Sequence, residues 1–194
     1  MKIIGLTGSI AAGKSTIVGW FNELGIVTHD SDCTVHELLG PHGGAVQDVL
    51  AAFGSNFGTI ADGINRQLLG DEVFSIPQKR LILESILHPM VRKHRDAFIS
   101  KQRKANVAAI VLDVPLLFET GGEAMCDYVI VVHASTRTIA KRALARQGMT
   151  KDKLTSILAS QMPSDDKIAR ADLTLDSDKR KDQTRNQLID WLSV

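Results

Sequence analysis

The sequence predicts an α/β fold, a parallel sheet covered by helices on both faces. Two observations carry that expectation. Short continuous apolar runs of strand length alternate with helical patterns at both ends of the chain, as strands buried on both faces require. The first of these runs passes through a glycine-containing loop straight into a helix. At 194 residues the chain suits one compact domain, or one with small insertions, on a soft prior of roughly 150 residues per domain. With 44% hydrophobic and 23% charged residues, disorder, collagen and coiled coil are poor descriptions.

Lys2–Thr7 reads as a short buried strand bounded by glycine. Ser15–Leu24 carries Ile17, Val18, Trp20, Phe21 and Leu24 at helical spacing, and Gly25 is placed to end it. Ile26–His29, Ala108–Asp113, Tyr128–His133 and Leu173–Leu175 are the further strands. From Thr34 to Arg103 the patterns are almost only helical: Val35–Leu39, Ala45–Phe53, Gln67–Phe74, Gln78–Leu87 and Val91–Lys101. Gly40-Pro41, Asp62-Gly63 and His88-Pro89 punctuate them. A second helical stretch, Thr136–Gln147 then Lys151–Gln161, is rich in Arg and Lys. The charged run Asp176–Asp182 reads as a solvated turn leading to a last helix that reaches Trp191.

The net charge of +1 argues against a dedicated nucleic-acid binder and leaves room for a local site for a phosphorylated small molecule. Cys33 and Cys126 lie too far apart for zinc spacing and read as small semi-buried hydrophobes in a reducing compartment. No run approaches the ~20 apolar residues of a membrane span. The first residues look like a strand and not a signal peptide, so the expectations are a cytoplasmic chain, no membrane partner, and a monomer or small homo-oligomer.

Gly8-Ser9-Ile10-Ala11-Ala12-Gly13-Lys14-Ser15-Thr16 fits G-x-x-x-x-G-K-[ST] at every fixed position, between a strand and a helix. Gly8 lets the chain leave the strand sharply, and Gly13 supplies a conformation or an approach that a side chain would block. The N–H groups between them then point at phosphate oxygens beside the positive end of the helix. Lys14 is placed to reach the β- and γ-phosphates, and the Ser15 hydroxyl to ligate Mg²⁺. The expected ATP contacts are Gly8, Ala11, Ala12, Gly13, Lys14, Ser15 and Thr16. Asp113 closes an apolar strand and is the candidate second metal residue, with helix capping as the plain alternative.

Such a loop serves switches, motors, transporters and kinases alike. The D-x-x-G and N-K-x-D of a GTPase and the L-S-G-G-Q of a transporter are absent, whereas a short chain, a helical insertion and an arginine-rich segment suit a small-molecule kinase. Asp30-Ser31-Asp32 follows the second strand, at the carboxyl edge where open α/β sheets bind ligands. On an extended segment the two acids point in opposite directions, one toward an acceptor hydroxyl and one toward a helix cap or metal. Arg142 and Arg146, four apart, fall on one face of a helix and suit a phosphate cover or a solvated basic face.

Together these residues resemble the dephospho-coenzyme A kinase family over nearly the whole chain. Gly5-Leu6-Thr7-Gly8 matches its opening, and Leu24-Gly25 with Asp30-Ser31-Asp32 and His36 resembles its L-G…D-A-D segment. Phe53-Gly54, the run Asp62-Gly63-Ile64-Asn65-Arg66-Gln67-Leu68-Leu69 and Val73-Phe74 are similar to F-G…D-G-x-[LI]-[DN]-R-x-x-L…V-F. Leu83–Val91 resembles L-E-x-[IL]-x-H-P-x-[VI], and Pro115-Leu116-Leu117-Phe118-Glu119 matches its P-L-L-F-E. Gln161-Met162-Pro163, Lys167 and Ala171-Asp172 resemble the closing Q-M-P…K…A-D.

The resemblance implies transfer of the ATP γ-phosphate to the ribose 3′-hydroxyl of dephospho-coenzyme A, the last step of coenzyme A biosynthesis. Another kinase of the same fold, or a nucleotide-binding homologue without activity, is the alternative. The implied architecture is a three-layer α/β/α P-loop kinase with a five-stranded parallel sheet, a helical substrate insertion and a helical lid. By position, residues 1–60 with 93–135 and 166–194 form the nucleotide-binding core, 61–92 the substrate domain and 136–165 the lid. Lys14, Asp32 and Arg142 are then the catalytic candidates, Asp32 as the base with Asp30 as second choice. Arg142 and Arg146 cover the phosphates, and Asp32, Arg66, His88, Leu116 and Glu119 meet the substrate. Ser15 and Asp113 hold Mg²⁺. The chain departs from the family pattern at Ser9 and Ala11, where glycine is usual, at Ser156 for arginine, and at Ser177 for asparagine near the adenine.

Overall fold

A computed structural model describes the backbone of residues 1–193 and, among these, all side chains but those of residues 74 and 75. Residue 194, the end of the core range expected from sequence, and the side chain of Phe74 lie outside the described residues. The elements run β1 (Lys2–Gly8), α1 (Lys14–Glu23), β2 (Val27–Asp30), α2 (Ser31–Leu39), α3 (Val46–Phe53), β3 (Gly58–Thr59), β4 (Gly63–Ile64), α4 (Arg66–Ser75) and α5 (Pro77–Lys104). Then come β5 (Ala109–Asp113), β6 (Tyr128–His133), α6 (Thr136–Leu144), α7 (Lys151–Ser160), α8 (Ser164–Ala169), β7 (Leu173–Asp176) and α9 (Lys181–Leu192). The chain forms two compact units, residues 30–105, and residues 1–29 with everything from 106 onward.

In the larger unit the five-stranded sheet has the order β2-β5-β1-β6-β7, its last residue of β2 falling at the division. β1 is parallel to both β5 and β6, with Leu6 level with Asp113 and Gly8 level with Val132. Alternation along the strands sends residues to two cores. Ile4, Leu6, Val111, Ile130 and Val132 pack against Ile17 and Phe21 of α1 and Leu188 of α9. Val129 and Val131 face the other way, onto Leu117, Phe118 and Ile168 of α8. Helix, sheet and helix are therefore layered as expected, and they bring the carboxyl ends of β1 and β5 side by side.

The smaller unit has its own core, in which Leu38, Leu39, Val46, Val49, Phe57, Ile64, Leu69 and Leu87 are buried together. It corrects the sequence reading three times. Residues 30–60 and 93–105, assigned to the core, are compact with 61–92: α2, α3 and the middle of α5 share that cluster, and 93–104 continue α5. The helices expected on either side of His88-Pro89 are one helix, Pro77–Lys104. A proline inside a helix costs about 3 kcal/mol, but Leu83, Ile86, Leu87, Met90 and Val91 straddle Pro89 and pack on one cluster, which offsets that cost. The stretch read as almost only helical also contains a hairpin, Gly58–Thr59 against Gly63–Ile64, too short for alternation to reveal. The Thr59 hydroxyl closes its turn on Asp62 Oδ2 at 2.8 Å.

Candidate active site

The loop 8–13 leaves the carboxyl end of β1 and delivers the chain to the first turn of α1. A Cβ at Gly8 would lie 2.2 Å from the Val132 carbonyl oxygen, so the loop can approach β6 only through glycine. Gly13 caps α1 at φ 107, a left-handed conformation, and a Cβ there would crowd Ser177 Cβ at 3.3 Å. The Ala12 and Thr16 amides turn back onto the Ser9 and Gly13 carbonyls, each at 3.1 Å. The Ile10 amide donates to Gln161 Oε1 at 3.1 Å. The Lys14 and Ser15 amides open α1 with no carbonyl one turn behind them, and with the helix dipole they make a cradle for an anion. Lys14 is half-buried at the head of α1, and Ser15 and Thr16 are exposed beside it. Ala11, where glycine is usual, takes φ 58 at a cost of about 1 kcal/mol or more. Its methyl group is used in return: Ala11 is buried with Ala143 of α6 and Leu154 of α7.

Arg142 meets this loop from its carbonyl side. Its guanidinium donates to Ser177 Oγ at 2.8 Å and the Ser177 carbonyl at 3.0 Å, with longer contacts to the Ala12 and Ala11 carbonyls at 3.4 and 3.5 Å. Ser177 Oγ in turn donates to the Ala12 carbonyl at 2.6 Å. A cavity of about 500 Å³ opens here, lined by Arg137, Thr138, Lys141, Arg142, Ser177 and Asp178. Asp178 accepts the Ser135 amide at 2.9 Å, and hydrogen bonds from Ser135 and Thr138 hold its carboxyl below the usual aspartate value. Sequence reasoning found Arg142 and Ser177 but read Asp178 as part of a solvated turn, and it passed over Arg137, Thr138 and Lys141. Their only signal was the basic character of the stretch. Arg146 is a correction. α6 ends at Leu144, so Arg146 lies exposed in the following turn and not on a helix face shared with Arg142.

Asp113 ends β5, half-buried and level with Leu6, just before the loop begins. Among the described residues no group of three His, Cys, Asp or Glu side chains gathers as a metal cage. Glu119, expected as a substrate contact, is also engaged within the protein. Its Oε1 accepts the Met162 amide at 2.7 Å and the ammonium of the fully buried Lys167 at 2.9 Å. Burial works against its charged form, but Lys167 and the Met162 N–H outweigh that and hold the carboxyl below the ordinary glutamate range. Lys167 also donates to the Pro115 carbonyl at 3.4 Å, which Thr7 Oγ1 reaches at 3.0 Å. Leu116 is half-buried, its carbonyl taken by the Thr120 amide at 3.1 Å.

In the smaller unit Asp30 is extended but Asp32 has already turned into α2, so the two acids do not alternate along a strand. Asp30 is the N-cap of α2, accepting the Cys33 amide at 2.9 Å, and Asp32 lies exposed in the first helical turn. Both acids are exposed, and the cap gives Asp30 a structural role at the head of α2. Cys33, expected semi-buried, is exposed on the same turn, while Cys126 is half-buried. Arg66 opens α4 behind the cap Asn65, and His88 lies on α5; both side chains are exposed.

The dephospho-CoA kinase family model matches residues 2–183. A dephospho-CoA kinase of Rhodospirillum rubrum is 50% identical over 161 residues, covering 83% of this chain and 76% of its own. One from Rhodopseudomonas palustris strain HaA2 is 43% identical and covers 100% of this chain and 96% of its own. Among solved structures, the dephospho-CoA kinase from Campylobacter jejuni superposes with a TM-score of 0.73 at 26% identity, covering 100% of this chain and 96% of its own. A shikimate kinase from Bacteroides thetaiotaomicron, at 14% identity and a TM-score of 0.52, covers 100% of this chain and 99% of its own and shares the fold alone.

Proposed function

We propose a working mechanism from one premise: the chain belongs to the dephospho-CoA kinase family. It is a kinase that phosphorylates dephospho-coenzyme A to coenzyme A at the expense of ATP, the last step of coenzyme A biosynthesis. The observation that carries the reading is the amide cradle of residues 8–16 at the carboxyl end of β1. It is shaped for the phosphates of a nucleotide.

Phosphoryl transfer needs positioning and charge stabilisation more than covalent chemistry. The amides at the head of α1 hold the β-phosphate, and the Lys14 ammonium follows the charge that spreads over the moving phosphoryl group. Ser15 Oγ and the Asp113 carboxylate fit Mg²⁺, which binds through one or two protein oxygens and otherwise keeps water and phosphate. When bound it would neutralise charge on the phosphates. The cavity beside Ser177 suits the nucleoside end of ATP, and Arg142, which lines it, reaches the phosphates as the segment closes. Asp32 is the base that accepts the proton of the acceptor 3′-hydroxyl, while Arg66, His88 and Leu116 contact the acceptor. The basic segment 136–165 covers the nucleotide and excludes water, so that phosphate reaches the hydroxyl and is not lost to hydrolysis.

A coupled assay of ADP release tests the reading. ADP should form with dephospho-coenzyme A and Mg²⁺ present, and at a small fraction of that rate without the acceptor. Equal release with and without it would make the chain an ATPase, and none in either case a nucleotide binder only.

A further inference from the structure

We propose that Gln161 is a positioning residue, which holds the phosphate loop in register with the return end of the basic segment. Its amide oxygen takes the Ile10 N–H at 3.1 Å, across 151 positions of sequence. That N–H is thereby committed to the protein, whereas those of Lys14 and Ser15 at the head of α1 remain for the anion site. Gln161 is itself fixed from behind. The next residue, Met162, gives its amide to Glu119 at 2.7 Å, and Glu119 is paired with Lys167 at 2.9 Å. Lys167 reaches the Pro115 carbonyl at 3.4 Å, and Thr7 holds the same carbonyl at 3.0 Å. The chain of contacts thus leaves β1 at Thr7 and re-enters the loop at Ile10, bracketing Gly8 and Ser9 between two anchored points.

The residue type follows from the chemistry. The position needs an acceptor, which excludes lysine and arginine, and it needs the reach of two methylenes, which asparagine lacks. It also needs neutrality, because a carboxylate against the loop would repel phosphate. Gln161 is half-buried, so substitutions there leave the cores intact.

The inference rests on the loop being the ATP site, and saturable ATP binding by the wild-type enzyme tests that reading separately. Two variants test the inference: Gln161→Met keeps length and removes the acceptor, and Gln161→Glu keeps the acceptor and adds charge. Amide exchange at Ile10, resolved by NMR without nucleotide, should quicken about tenfold in Gln161→Met and stay slow in Gln161→Glu. The KM for ATP should rise about three- to tenfold in Gln161→Met, the range of one lost hydrogen bond, with the KM for dephospho-coenzyme A unchanged. In Gln161→Glu it should rise too, but the rise should shrink as salt is added. A Gln161→Met enzyme with wild-type Ile10 exchange and wild-type KM for ATP overturns the proposal. So does one that only melts lower, or a Gln161→Glu enzyme whose Ile10 exchanges as fast as that of Gln161→Met.

Discussion

Lys14 contributes to no core cluster of the described residues, so its replacement isolates chemistry from folding. Lys14→Ala should cut turnover by orders of magnitude with an unchanged melting temperature, because charge stabilisation carries most of this reaction. A folded variant with near-normal turnover would remove Lys14 from the mechanism. Asp32→Asn keeps shape and loses charge; transfer should fall roughly 10²–10⁴-fold while calorimetry still finds ATP bound. Asp30→Asn should act differently, since asparagine caps a helix as well as aspartate does: little loss of stability and little loss of rate. At this scale the sequence was most informative for the loop, whose residue types and spacing express one local geometry. It was silent on what holds Glu119, whose partners Met162 and Lys167 lie far along the chain with nothing nearby to announce them.

Whole elements were legible where their apolar periodicity ran uninterrupted, as in β1, α1 and β6. The reading broke where a local breaker met a tertiary reward. Pro89 should end a helix, yet α5 continues through it because residues on both sides share one cluster. Pro89→Ala restores the missing donor and should raise the melting temperature, the gain being bounded by about 3 kcal/mol. A lower melting temperature would mean that the surrounding packing is built around the proline. The basic helices α6 and α7, expected as a lid, meet the nucleotide loop through Ala143 and Leu154, which pack on Ala11. Leu154→Ala, which opens a cavity in that small cluster, should speed hydrogen exchange through α6 and α7 and raise the KM for ATP, with β1, β5 and β6 still protected.

For the molecule as a whole, two separate cores predict two separable ligand responses. A non-hydrolysable ATP analogue at 100 times its Kd should stabilise the larger unit by about 2.7 kcal/mol and slow its exchange, with residues 30–105 much less affected. Equal protection of both units would refute that division of labour. Acid stability belongs to this scale too. The folded state holds the Glu119 carboxyl below its ordinary value, near 4.3 in unfolded chains. Its contribution is therefore complete above that value and is lost as pH falls through the lowered one. Melting temperatures of the wild type should drop over that acidic window by more than those of Glu119→Gln, which lacks the titrating group.

Lys167 turns its burial into a clock. An amine with 0% exposure cannot be acylated while the protein is folded, however reactive the reagent. Modification of Lys167 therefore waits for the larger unit to open, whereas Lys14, half-exposed, reacts in the native state. The labelling rate of one lysine against the other, read by mass spectrometry, becomes a count of opening events under working conditions, with no probe added to the chain.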